Sequence, residues 1–341
     1  MIFMRIVKSR LDFLRNRGFV SVMGRAAPII LVTGSLEAEQ EKRLLALAPG
    51  ARIVREEELV ADHGLAAKVE VCYSSLPAHL WKEATGLQWL QAGYAGMDDI
   101  LSMPEARAHG ATFTNVHIHA HAMAEHLWGM ALMLTRNLHH ALRAQGEGRW
   151  DRETMIQGLS ALADRTLCVA GLGVIGTQCA DIGRAFGMRV IGISRRARAN
   201  EAVQAVFGPD DRKTAFAQAR VIMLVLPGTP LTRGFVGKAE LDSMKGAFLL
   251  NAGRGNSIDT MALVDALRDG RVRGAGLDVT DPEPLPAGHP LWSMPNAIIS
   301  PHYGGTHPGY EEEAFDMFCQ NLARYVAGQP LLNVVDKEAG Y

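Results

Sequence analysis

Arg165-Thr-Leu-Cys-Val-Ala-Gly-Leu-Gly-Val-Ile-Gly176, continuing to Ser194-Arg195-Arg196, is the stretch that decides the fold. Thr166 to Ala170 is apolar, too short for a helix and closed by glycine, so it reads as a buried parallel strand. Gly171, Gly173 and Gly176 follow at the G-x-G-x-x-G spacing. The first allows a tight turn, the second lets backbone approach a pyrophosphate, and the third lets the next helix pack on the strand. Ile175 to Phe186 reads as that helix, whose N-terminus offers free N–H groups and a positive dipole end to phosphate. Met188 to Ile193 supplies a second strand. Strand, glycine turn, helix and strand in this order carry the dinucleotide reading, which the glycines alone would not.

The end of that second strand is where an adenosine ribose should lie. An acidic residue there selects NAD by accepting hydrogen bonds from the 2′-hydroxyl. This chain has Ser194, Arg195, Arg196 and Arg198, with no acid before Glu201. A hydroxyl beside guanidinium groups suits a 2′-phosphate, so NADP is the expected cofactor, with NAD possible. The plainer alternative is a solvated basic loop.

A length of 341 residues with 48% hydrophobic side chains implies two domains. The net charge of -1 points neither to nucleic acid nor to an acidic membrane surface. Cys72, Cys168, Cys179 and Cys319 have no disulfide or metal-like spacing, which fits a reducing cytoplasm. The longest strongly apolar run, Leu127 to Leu134, is far too short for a membrane span. Residues 1–27 form a basic N-terminal extension, either transit-like or preceding a start nearer Met23.

Ahead of the glycine turn the chain alternates strands and helices. Strands are expected at Pro28–Thr33, Arg52–Arg55, Val69–Cys72, Leu87–Gln91 and Thr112–Asn115. Helices are expected at Glu37–Leu47, at Glu56–Ala61 and between Pro77 and Ala84, giving a small parallel sheet. In Gln91-Ala-Gly-Tyr-Ala-Gly-Met-Asp-Asp99 two glycines can aim successive N–H groups at an anion, or simply form a turn. His117, His119 and His121 alternate, with His126 nearby, but no cysteine or paired carboxylate completes a metal set, so packing or interface roles are expected. Met123, Leu127, Met130, Leu134, Leu138 and Leu142 recur at helical period, predicting one helix from Ala120 to about Gln145, roughly 37 Å long.

Beyond the glycine turn, strands are expected at Val221–Leu226, Ala247–Asn251, Gly274–Val279 and Ala297–Ser300, making six with the first two. Asp259 caps a helix to Arg268, and Tyr310–Ala327 is an amphipathic helix free to return to the first domain. In an open α/β sheet, ligands collect at the carboxyl ends of the strands. Those ends carry Pro227-Gly-Thr-Pro-Leu-Thr232, Asn251-Ala-Gly-Arg-Gly255, Asp278-Val-Thr-Asp-Pro-Glu-Pro284 and Ser300-Pro-His-Tyr-Gly-Gly305. His302 can supply a proton near neutral pH, Glu283 can orient and stabilise its imidazolium, and Arg254 offers a planar fork to a carboxylate. Each alone has a dull reading as a surface charge or turn residue; four at successive strand ends do not.

With these motifs, the run from about Val116 to Gly305 resembles the D-isomer-specific 2-hydroxyacid dehydrogenase family, and the N-terminal third resembles it more loosely at Trp89–Asp99. The resemblance implies a doubly wound Rossmann dinucleotide domain at 119–306. It also implies a smaller, discontinuous flavodoxin-like substrate domain from 28–118 plus 307–341, and a homodimer. It implies that Arg254 binds substrate, that Glu283 and His302 form the acid/base pair, and that Tyr94, Ala95 and Gly96 hold the substrate carboxylate. Cofactor contacts are implied at Gly171, Gly173, Val174, Ile175, Gly176, Ser194, Arg195, Arg196, Pro227, Thr232, Ala252, Gly253, Asp278, Gly304 and Gly305, with Asp278 on the nicotinamide side.

Two departures from the common pattern inform. Ser194 in place of the usual acid resembles the NADP-using glyoxylate and hydroxypyruvate reductases, and Glu283 stands where formate dehydrogenases carry Gln. The expected activity is reduction of a small 2-oxo acid by a reduced nicotinamide, and the reverse oxidation. The rivals are a 3-phosphoglycerate dehydrogenase and a cofactor-sensing binding protein of the same fold.

Overall fold

The computed structural model describes residues 27–195 and 202–340. Residues 1–26 of the N-terminal extension therefore lie outside the described residues, as do Arg196, Arg198 and Glu201.

Two parallel sheets follow one another along the chain. The first contains β1 (Ile29–Val32), β2 (Arg52–Arg55), β3 (Val71–Tyr73), β4 (Trp89–Gln91) and β5 (Thr112–Thr114), in the order β2-β1-β3-β4-β5. The second contains β6 (Thr166–Ala170), β7 (Arg189–Ile193), β8 (Ala205–Phe207), β9 (Val221–Leu224), β10 (Ala247–Asn251), β11 (Val272–Leu277) and β12 (Ala297–Ile299), in the order β12-β11-β10-β9-β6-β7-β8. Both have helices on their faces, so their central strands are buried on both sides: all of β4, β9 and β10 is inaccessible to solvent.

The second sheet has seven strands where six are read from sequence. β8 is the addition, a three-residue edge strand of half-buried residues too short to announce itself by pattern. It pairs with β7, and Ser194 N–H donates to Phe207 O at 3.1 Å directly after the ladder ends. β6 sits between β7 and β9, so the chain winds outward on one side and returns on the other. The switch point, where such sheets open a crevice at their carboxyl edge, lies between β6 and β9.

Two predicted helices come out differently. The expected 25-residue helix is two, Ala120–Thr135 and Leu138–Gly146. Asn137 breaks it with a left-handed φ of 55°, one of the few such conformations a non-glycine side chain tolerates. Its amide donates to Met155 O at 3.0 Å and Gln157 O at 2.9 Å, partners supplied from 18 and 20 residues further along. Apolar periodicity continues through the break, but Leu138 and Leu142 are turned outward and exposed. Between Pro77 and Ala84 only a 3-10 turn forms, Ala78–Leu80. The Thr260–Arg268 helix begins as read, with Asp259 Oδ1 accepting from Ala262 N–H at 3.0 Å.

The two sheets have separate cores. Leu167, Val169, Val221 and Leu250 of the second pack against Leu127, Trp128 and Ala131 of the Ala120–Thr135 helix. The C-terminal helix Tyr310–Val326 returns to the first sheet, where Phe315, Phe318 and Leu322 pack with Ile30, Val32 and Trp89. Burying each of these three helix side chains stabilises that return by about 1.5–3 kcal/mol. All four cysteines are buried and unbridged.

Candidate active site

The glycine turn shows why each glycine is where it is. Gly171 has φ +98°, and a Cβ there would lie 2.6 Å from Val225 O across the switch point. A Cβ at Gly176 would lie 1.9 Å from Gly171 O, so the helix could not approach the strand this closely with any other residue. Gly173 differs: it caps the Val174–Ala185 helix, and a Cβ on it would meet nothing within 4 Å. Open space in front of a helix N-terminus is the cradle a pyrophosphate needs. Val174 is exposed beside it, and Ile175 is half-buried.

The loops after β9 and β10 close over the same edge. Thr232 Oγ1 donates to Pro227 O at 2.6 Å and accepts from Thr229 N–H at 3.0 Å, fixing the loop that follows β9. Gly253 lies flat on it, since a Cβ there would sit 2.6 Å from Leu226 O. Asn251, fully buried, accepts from Gly253 N–H and donates to Arg254 O, holding the Ala252-Gly253-Arg254 turn. Ser194 and Arg195 follow β7 on the opposite side of β6.

Arg254 reaches across to the first sheet's loop. Its Nε donates to both carboxylate oxygens of Asp98 (3.1 and 2.9 Å), its Nη2 to Asp98 Oδ1 (2.6 Å), and its Nη1 to Gly253 O (2.8 Å). Burial works against the guanidinium's charge, but the Asp98 carboxylate outweighs it and raises Arg254 further above neutrality. Burial likewise favours protonated Asp98, and the Arg254 bonds outweigh it, holding Asp98 below the usual carboxylate range. A Cβ on Gly96 would lie 1.8 Å from Arg254 Nη2, so the guanidinium lies across that glycine. The N–H groups of Tyr94, Ala95 and Gly96 donate to no acceptor among the described residues. Unused backbone donors beside a guanidinium are the groups an anion-binding turn requires.

His302 and Glu283 meet directly, with Nδ1 to Oε1 at 2.5 Å. With Nδ1–H donated to the carboxylate, Nε2 is the atom available to exchange a proton. His302 holds a left-handed φ of +51°, and its N–H donates to Asp278 O at 2.9 Å and Ser300 O at 3.0 Å. The three groups share one electrostatic neighbourhood: Asp98 feels the charges of both Arg254 and His302, and Arg254 feels Glu283.

Asp278 is almost completely buried and its carboxylate is committed. Oδ1 accepts from Ser300 Oγ at 2.7 Å and Tyr303 N–H at 3.3 Å, and Oδ2 from Gly304 N–H at 3.0 Å. Gly304 and Gly305 are glycines for packing: added Cβ atoms would meet His126 at 2.7 Å and His119 at 3.2 Å. Among the described residues no three His, Cys, Asp or Glu side chains gather at metal-binding distance. His119 is instead buried against Gly305 and Met123, which pushes its imidazole down to about 4.

The profile for "D-isomer specific 2-hydroxyacid dehydrogenase, NAD binding domain" matches residues 128–304, just over half the chain. The protein belongs to the D-isomer specific 2-hydroxyacid dehydrogenase family. It is therefore a nicotinamide-dependent oxidoreductase acting on CH–OH groups. A glyoxylate reductase of Aeropyrum pernix is 35% identical over 226 residues, 64% of this chain and 67% of that protein. The family dehydrogenase of Xanthobacter autotrophicus Py2, solved with NADPH and MES, aligns with TM-score 0.79 and 28% identity over 93% of this chain and all of that one. An NADPH-dependent glyoxylate/hydroxypyruvate reductase of Sinorhizobium meliloti, solved with NADP and sulfate, aligns equally well at 26% identity, covering 93% and 100%.

Two residues that touch the predicted site groups carry no signal in the sequence. Asp98 sits in the quoted Gly93–Asp99 stretch, but only folding brings it to Arg254, 156 residues away. His126 follows three alternating histidines, and nothing local distinguishes it from them. No helix among the described residues is long and apolar enough to cross a membrane.

Proposed function

We propose that this protein reduces a small 2-oxo acid, glyoxylate or hydroxypyruvate, to the corresponding 2-hydroxy acid, the D isomer where the product is chiral, at the expense of NADPH. The single observation that supports the reading is the Glu283–His302 pair within electrostatic range of Arg254, which itself lies across Gly96 beside three unused N–H donors. The 28–118 and 307–341 segments form the substrate-binding half, and 119–306 the dinucleotide-binding half.

When bound, the nicotinamide supplies the hydride to the carbonyl carbon. The protein's own groups do the rest. Gly171, Gly173 and Gly176 would seat the pyrophosphate at the helix start, and Ser194 with Arg195 would receive the adenosine 2′-phosphate where an acid would reject it. The N–H groups of Tyr94, Ala95 and Gly96 hold the substrate carboxylate, and Arg254 polarises the carbonyl oxygen. His302 Nε2 delivers the proton to that oxygen as the carbon gains hydride, and Glu283 stabilises the imidazolium beforehand. The carbonyl becomes CH–OH, and His302 is reprotonated from solvent, to which it is 46% exposed.

We also propose that it works as a homodimer in the cytoplasm. What supports the dimer is the exposure of large apolar side chains in one segment: Trp150 is 96% exposed, and Leu142 and Ile156 are exposed as well.

The test is a spectrophotometric screen of small 2-oxo acids against NADPH and NADH. Consumption of NADPH with glyoxylate or hydroxypyruvate is expected. Tight NADPH binding with no turnover across the panel would instead favour a cofactor-sensing binding protein.

A further inference from the structure

The turn that aims His302 is held from behind by a second histidine on a different element. His126 lies on the Ala120–Thr135 helix, with its side chain 16% exposed. Its Nε2 is 2.7 Å from Ser300 Oγ and 3.4 Å from Asp278 Oδ1. Ser300 has one hydroxyl proton, and the acceptor-only carboxylate of Asp278 takes it at 2.7 Å. The contact to His126 must then run the other way, with Nε2–H donating to the Ser300 oxygen. The result is a directed chain, His126 Nε2–H to Ser300 Oγ–H to Asp278 Oδ1, ending on the carboxylate that receives Tyr303 N–H and Gly304 N–H.

Contact reinforces the chain. The His126 ring stands edge-on to Tyr303, centroids 5.1 Å apart, and touches Gly304 so closely that a Cβ there would lie 2.7 Å from its Cδ2. His126 therefore engages Ser300, Tyr303 and Gly304, residues on both sides of His302, while His302 itself keeps a left-handed backbone. Such a conformation persists only where the surroundings over-determine it.

We propose that His126 is a positioning residue for the proton donor, working through Ser300 and Asp278 and touching neither substrate nor cofactor. This rests on the reading of His302 as that donor. An error of about 1 Å in placing a catalytic group costs on the order of 100-fold in rate.

His126→Phe keeps a ring against Tyr303 and Gly304 but removes the donor, whereas His126→Gln keeps an N–H donor. Each is assayed well below its own unfolding midpoint. We expect His126→Phe to lower kcat about 10- to 100-fold while the Kd for NADPH stays within about threefold, and His126→Gln to recover most of the loss. Ser300→Ala should cost as much as His126→Phe, and the double variant little more than either, because they break one chain. Wild-type kcat in folded His126→Phe would overturn the proposal, as would losses that multiply in the double variant. His302→Ala run alongside separates the two levels: if it stays active, the donor assignment itself fails; if it is dead while His126→Phe is normal, only the positioning role fails.

Discussion

The two glycine turns of this molecule, Gly171–Gly176 and Gly93–Gly96, look alike in sequence and are constrained by different things. At Gly176 the atom in the way of a side chain is backbone, Gly171 O at 1.9 Å. At Gly96 it is the end of the Arg254 side chain, also under 2 Å away. A backbone neighbour cannot give, so the first turn is glycine because the βαβ unit would not otherwise close. A side-chain neighbour can swing aside, so the second is glycine because Arg254 has to lie there. One turn serves the fold and the other serves the site.

The largest expected effect breaks the first turn. Gly176→Ala should destabilise the protein by about 3 kcal/mol, the upper end of overpacking costs, measured by urea unfolding. Gly96→Ala should sharpen the contrast. Its stability should change by no more than about 1 kcal/mol, while kcat/KM falls about tenfold or more as the guanidinium is displaced. Equal stability losses in the two variants would erase the distinction.

Asp98→Asn probes the same second turn more gently. It removes the charge that holds Arg254 while leaving the shape, and kcat/KM should drop about tenfold with little change in NADPH affinity. Ser194→Asp returns to the dinucleotide side. A carboxylate there repels a 2′-phosphate and accepts from a ribose hydroxyl, so the NADPH-to-NADH preference should fall about tenfold or more, read from the two kcat/KM values. An unchanged ratio would leave the basic segment as a solvated loop.

The smallest effect is one of pH. His119 titrates near 4 in the folded chain and near its ordinary value of 6.5 when unfolded. Both states are neutral above that range. As pH falls from about 6.5 to 4, only the unfolded chain gains the proton, so stability declines. His119→Asn should flatten that part of the profile of unfolding midpoint against pH.

The comparison also explains what the sequence could and could not tell. Around Gly171 every requirement is local: a strand, a tight turn and a helix start fall within a dozen residues, and the spacing carries them. Arg254, Glu283 and His302 were legible for a related reason, since each follows a strand and strand ends share one edge. Asp98 and His126 were not, because their partners lie 156 and 174 residues away and only the assembled fold brings them together. Asn137 hid within an unbroken apolar period, its left-handed turn set by distant carbonyls at Met155 and Gln157. β8 was too short for any pattern, being defined only by the neighbour it pairs with.

The most direct test of the central claim is the turnover number of His302→Ala with NADPH and the best 2-oxo acid from the screen, with NADPH affinity measured on the same preparation. The expected result is a fall in kcat of about 10²- to 10⁴-fold, the range for losing a general acid, at unchanged NADPH affinity. A variant that binds NADPH normally and turns over near the wild-type rate would contradict it.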